Sequence, residues 1–168
     1  MTDTRHGADV DRTDEWARLR ARHLRAAGER PPTTARGVHH SALISSDVEA
    51  TIGFYQGLLG FPLTELFENR DYCGSTHFFF DIGNGNTLAF FDFPGLELPP
   101  YAEVLGGHHH IAISVEPRQW ALLRDRLTAA GVAVHEVHGV SIYFAGPDGE
   151  RIELLSDPLG EMYGQQVI

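Results

Sequence analysis

Lysine is absent from this 168-residue chain, and all thirteen of its positive side chains are arginine. That removes the amine a Schiff base requires and the lysine of a phosphate-binding P-loop. Cys73 is the single cysteine, so there is no internal disulfide, which fits a reducing cytoplasm. A nucleophilic role for Cys73 competes with that of a small, partly buried side chain, which is the commoner use of a lone cysteine. Apolar runs of membrane-spanning length are missing, and the opening Met-Thr-Asp-Thr-Arg-His-Gly lacks the hydrophobic core of a signal peptide. Positive charge is also scarce: 23 acidic residues outweigh the arginines, for a formal charge of −10. Such a surface disfavours nucleic acid and anionic membranes as partners. What is present is ordinary for a soluble protein, with 42% hydrophobic and 21% charged residues. The length suffices for a full core, in one domain or two small fused modules.

Residues 1–36 read differently from the rest. Thr13 is a candidate N-cap, and Asp14 to Ala27 has helical character, with Asp14 and Glu15 in the first turn, Arg22 and Arg25 near the end and Gly28 as the stop. Trp16, Leu19 and His23 form a narrow stripe on it. The Pro-Pro-Thr-Thr stretch that follows reads as a linker, so 1–36 is expected to be a helical extension.

From Gly37 the chain repeats itself. His40-Ser-Ala-Leu-Ile-Ser is matched by His110-Ile-Ala-Ile-Ser-Val, and each run is followed by a helix stopped by glycine, at Gly60 and Gly131. Three strand-like segments follow each helix. In the first copy they are 63–67, 77–82 and 87–93; in the second, 132–137, 140–144 and 151–155. The turns Gly83-Asn84-Gly85-Asn86 and Gly146-Pro147-Asp148-Gly149 separate the last two strands of each copy. Each copy is therefore βαβββ, spanning 37–93 and 108–158 within a domain of 37–168. The expected fold is α+β: two tandem βαβββ modules pairing curved mixed sheets around one cleft, with the N-terminal helix appended.

The repeat also selects candidate ligands. Strand parity sends His39 and His40 to opposite faces, as it does His109 and His110, and alignment of the copies makes His40 and His110 equivalent. His108 shares the face of His110 and is its main rival. Glu153 sits in Arg-Ile-Glu-Leu-Leu, an otherwise apolar run where a carboxylate is costly to bury unless paired or metal-bound. Two neutral imidazoles and one carboxylate, with coordination positions left open, form the ligand set of a catalytic divalent metal. His40 and His110 are expected to face each other across the cleft.

These residues carry a resemblance. His40-Ser-Ala-Leu, Asp47, Phe54-Tyr55, Leu58-Leu59-Gly60-Phe61, His110-Ile-Ala-Ile and Gly-Pro-Asp-Gly-Glu-Arg-Ile-Glu153-Leu resemble the vicinal oxygen chelate superfamily. That superfamily includes glyoxalase I, methylmalonyl-CoA epimerase, extradiol dioxygenases and the fosfomycin- and bleomycin-resistance proteins. The resemblance covers about 37–158 and implies the paired βαβββ fold, a metal held by His40, His110 and Glu153, and a homodimer in which the N-terminal helix is a candidate participant.

Within that resemblance, single letters discriminate. Aligning the two turns puts Ala89 opposite Glu153, where glyoxalase-type members carry a second acidic ligand that doubles as base. Alanine can do neither, which disfavours glyoxalase I chemistry and metal-assisted epimerisation. Bleomycin-binding members usually lack the full triad present here. Fosfomycin-type proteins need cations for a phosphonate, and the tail after Glu153 contains no arginine, so that reading loses ground. Tyr143 resembles a tyrosine found at the site in both dioxygenases and fosfomycin-type enzymes. Asn86 stands where extradiol enzymes carry an acid/base histidine, and His77, His135 and His138 are the candidate substitutes.

The segment with Phe78, Phe79, Phe80, Phe90, Phe91 and Phe93 supplies an aromatic wall suited to a planar or apolar small molecule. The expectation is a divalent-metal-dependent small-molecule enzyme, most like a dioxygenase, with Tyr143, His77 and Asn86 around the metal site. Fe(II) or Mn(II) is favoured, and the same ligands accept Zn or Ni. The alternatives are a metal-dependent lyase, isomerase or thiol transferase, and a non-catalytic protein that binds an antibiotic or metabolite.

Overall fold

A computed structural model describes residues 10–168, which divide into two compact units, one ending at Arg36 and the other spanning Gly37–Ile168. In the first, helix α1 runs Thr13–His23 and buries none of its residues; Asp11 accepts a hydrogen bond from Thr13 N, and Arg12 pairs with Glu15 at 2.7 Å. The helix ends well before Gly28 because Leu24 turns extended while its N–H still bonds Arg20 O. The glycine therefore stops nothing and lies in a short 3₁₀ turn, Ala27–Glu29.

In the second unit the repeat becomes two four-stranded mixed sheets of identical order. The first contains β1 (His40–Ile44), β2 (Leu63–Glu68), β3 (Thr76–Asp81) and β4 (Thr87–Phe91), ordered β1-β4-β3-β2. The second contains β5 (Ile111–Ser114), β6 (His135–Val137), β7 (Ser141–Ala145) and β8 (Arg151–Leu155), ordered β5-β8-β7-β6. The first and last strands of each copy pair in parallel, so each needs the crossover helix between them. A final hairpin, β9 (Glu161–Met162) and β10 (Gln165–Gln166), follows outside the repeat.

The two crossover helices differ. Helix α3 (Pro117–Ala129) begins on a proline suited to a first helical turn and ends before Gly131, whose φ is +79°. Helix α2 (Val48–Ile52) is capped by the Asp47 side chain, which accepts from Ala50 N at 3.0 Å. Over Gly53–Leu58 its winding widens, and Leu59 N reaches back five residues to Phe54 O at 3.0 Å.

Alternation decides which faces are buried. Phe78, Phe80, Leu88 and Phe90 from the first sheet, and Ile142, Ile152 and Leu154 from the second, are at most 1% exposed. They join Tyr55, Trp120 and Leu127 of the helical layer in one continuous cluster. Burying a side chain of this size stabilises the fold by about 1.5–3 kcal/mol. Polar contacts lock the modules together: Arg126 Nη1 donates to Leu58 O at 3.1 Å, Ser46 N to Asp148 Oδ2 at 3.0 Å, and Tyr55 Oη to Glu150 Oε1 at 2.7 Å. The opposite faces of both sheets carry the candidate site residues. Among the described residues no helix is long and apolar enough to cross a membrane.

Candidate metal centre

On the open face of the second sheet, parallel register sets Ala112 beside Glu153, and antiparallel register sets Tyr143 beside Glu153. His110 enters just before β5, and its Nε2 lies 3.0 Å from Glu153 Oε2. Glu153 is 1% exposed. Its Oε1 accepts from the Ser141 hydroxyl, whereas Oε2, close as it is to His110, has no hydrogen bond of good geometry. With its proton on Nδ1, His110 offers an Nε2 lone pair 3.0 Å from this buried carboxylate oxygen. That arrangement fits a divalent cation bound between them, because burying the carboxylate uncompensated is costly.

Neighbouring groups reinforce the pocket. The Tyr143 ring meets His110 edge-on with centroids 5.5 Å apart. Its hydroxyl is pushed far above the usual phenol range by burial, then by its hydrogen bonds with Glu153 and Tyr163. Burial holds His110 below the ordinary histidine value, against the opposing pull of Glu153. Arg151 stacks over the Tyr143 ring at 4.8 Å and lies within 3.4 Å of both Glu103 and His109.

His40 occupies different surroundings. Its neighbours are His39, whose Nδ1 is 2.9 Å from its own, and the Phe79 ring, with centroids 6.1 Å apart. His77 belongs to the same face; it stacks on Phe91 at 3.8 Å and packs against Phe79 and Phe67. Its Nε2 is buried without a hydrogen-bond partner, and burial, then the nearby His40, lowers its affinity for a proton. Asn86 closes the β3–β4 turn, its backbone N and Nδ2 both directed at Gly83 O. It borders a cavity of about 650 Å³ between this turn and the end of β5, together with Asn84, Ser114, Glu116 and Leu159.

The structure thus brings His110, Glu153 and Tyr143 together, and His40 with His77, while Asn86 serves a turn. Among the described residues, no three His, Cys, Asp or Glu side chains converge closely enough to hold an ion. Sequence reasoning missed Ser141, Glu103 and Arg151 as neighbours of the site, and parity set His109 aside. Ser141 and Arg151 were within reach of it, since each lies two residues from a named site residue on the same strand face. Glu103 was not, because it lies in the irregular stretch between the modules, where periodicity carries no information.

Known proteins resemble this chain in sequence and in fold. The chain is 26% identical over 133 residues to the metallothiol transferase FosB of Lysinibacillus sphaericus (strain C3-41), covering 71% of this chain and 82% of the relative. It is 27% identical over 124 residues to the glutathione transferase FosA of Serratia marcescens, covering 71% and 79%. Its fold matches a mutant of the fosfomycin resistance protein FosX of Listeria monocytogenes, complexed with Mn(II) and 1S,2S-dihydroxypropylphosphonic acid. That match has a TM-score of 0.56 and 23% identity, and covers 74% of this chain and 94% of that one. Residues 37–154, nearly the whole of the repeat, match the family model, and the chain belongs to the Glyoxalase/Bleomycin resistance protein/Dioxygenase superfamily.

Proposed function

We propose that this protein is a divalent-metal-dependent enzyme that adds a thiol or water to a small electrophilic substrate, with each site shared between two copies of the chain. The observation that carries the metal reading is the buried Glu153 Oε2, without a well-formed hydrogen bond and 3.0 Å from His110 Nε2. A metal bound there supplies Lewis-acid polarisation of a substrate oxygen. Ser141 holds the other carboxylate oxygen in place, and Tyr143 presents a protonated hydroxyl beside it.

Thiol or water addition is favoured over dioxygenation by the transferase relatives and by the turn-bound Asn86, which stands in place of an acid/base histidine. The dearth of cations after Glu153 weighs less than the sequence implied. Arg151 shares the open face two residues before Glu153 and provides a positive group for an anionic substrate. A dioxygenase is the second reading, supported by the aromatic face of Phe67, His77, Phe79 and Phe91 around His40.

The shared site follows from the separation of His40 from His110 and Glu153. An isologous dimer in which the first-module face of one copy meets the second-module face of the other completes two triads by symmetry. Mixing His40→Ala with His110→Ala protein tests this: neither homodimer holds an intact triad, while each mixed dimer regains one. Metal binding should return to about a quarter of wild-type sites after random reassortment. No recovery refutes sharing. For the reaction, Mn(II)-loaded protein is incubated with fosfomycin and glutathione, cysteine or water, and the products are followed by phosphorus NMR. Absence of product with every nucleophile, together with oxygen uptake on a catechol panel, shifts the assignment to the second reading.

A further inference from the structure

Both modules open on a histidine doublet, and both doublets have the same internal geometry. His39 Nδ1 lies 2.9 Å from His40 Nδ1, with the rings at 79°. His109 Nδ1 lies 2.6 Å from His110 Nδ1, with the rings at 76°. Two Nδ1 atoms this close must hold one proton between them, since two lone pairs would repel. In the second module the chain extends outward: His109 Nε2 is 3.6 Å from Glu103 Oε1 and 3.4 Å from Arg151 Nη1.

Only two arrangements of neutral imidazoles satisfy that contact. In the first, His109 supplies the shared proton. His110 then carries its own proton on Nε2, directed at Glu153, and His109 Nε2 is a bare acceptor facing Arg151, which can only donate. In the second, His110 supplies the shared proton from Nδ1. Its Nε2 is then bare beside the Glu153 carboxylate, and His109 carries a proton on Nε2 toward Glu103. Each ring holds one proton in both arrangements, so the exchange moves protons along the chain without releasing any. Only the second offers a lone pair to a cation.

Building on the metal reading above, we infer that His109 and Glu103 are positioning residues that select the ligating tautomer of His110, with His39 acting likewise on His40. Carboxylates that orient a ligating histidine are a general device of metal sites; here an extra imidazole is interposed between carboxylate and ligand.

The test measures Mn(II) binding by electron paramagnetic resonance on the full-length protein. His109→Phe should weaken binding by about 10- to 100-fold. His109→Asn, whose amide oxygen stands near the Nδ1 position and accepts the same proton, should restore most of the affinity, and Glu103→Ala should weaken it less than His109→Phe. The His109 side chain is half-exposed, so these substitutions leave the core intact. Histidine nitrogen NMR with Zn(II) supplies a signature that packing alone would not produce: on metal addition the proton of His110 should reside on Nδ1 and that of His109 on Nε2. Wild-type affinity in His109→Phe, or a His109 tautomer opposite to this in the Zn(II) form, overturns the inference and leaves the metal reading standing. Wild-type protein that binds neither ion overturns the metal reading and the inference with it.

Discussion

Gly146 offers a severe test of how the two modules are joined. A Cβ at this position would lie 1.9 Å from Glu150 Oε1 and 2.3 Å from its Cδ, so Gly146→Ala must expel the carboxylate. Expulsion breaks the 2.7 Å bond from Tyr55 Oη and the 3.0 Å bond from Asp148 N. Hydrogen bonds to a charged acceptor contribute about 1.5–3 kcal/mol, and a buried hydroxyl left unpaired costs about 1–3 kcal/mol. Tyr55 is fully buried, so both penalties apply and about 3 kcal/mol of destabilisation is expected. Tyr55→Phe removes the same bond from the other end without the clash, at about 1.5–3 kcal/mol. The two losses overlap, so the double variant should be less destabilised than the sum of the singles. Equilibrium urea unfolding of the four proteins supplies the cycle. Strict additivity, or a Gly146→Ala cost below about 0.5 kcal/mol as for an ordinary surface change, refutes the reasoning.

Glu150 is held above the ordinary carboxylate range, by burial first, against the lowering effect of Tyr55 and with a further push from Asp148. The folded state therefore binds its proton more readily than the unfolded chain. The stability this gives is fully present below the unfolded value and is lost as pH rises through the raised one, so subtracting the Glu150→Gln curve from wild type should leave that slope. A flat difference would remove the burial argument. Ser141→Ala frees Glu153 Oε1 and should weaken Mn(II) binding by about 10- to 100-fold; calorimetric titration reads this directly, and an unchanged isotherm counts against the site. Phe80→Ala empties a fully buried position between Tyr55 and Phe78 and should cost about 3–5 kcal/mol in chemical denaturation.

Much of the architecture was legible because local rules suffice for it. Period-2 alternation and glycine-stopped helices predict two βαβββ copies, and the sheets have the anticipated strands, with ends displaced by a few residues where pairing stops. The widened winding over Gly53–Leu58 was not legible, since the spacing of apolar residues does not distinguish a hydrogen bond that reaches back five residues from one that reaches back four. Parity and the alignment of the two copies singled out His40 and His110, because a strand has only two faces to choose between, and the apolar run around Glu153 marked it as a carboxylate that needs a partner.

What the amino-acid order determined by itself is this chemistry of faces: which side of each strand is apolar, which carries an imidazole or a carboxylate, and that no lysine can take part. The meeting of faces was decided only in three dimensions. The helical layer fuses both apolar faces into one core, the pairing of β5 with β8 sets His110 against Glu153, and His40 is left among the aromatics of the other sheet. The physical reason is one of range. Alternation is fixed by neighbouring peptide units, whereas the distance between two strands seventy residues apart in the chain depends on every side chain packed between them.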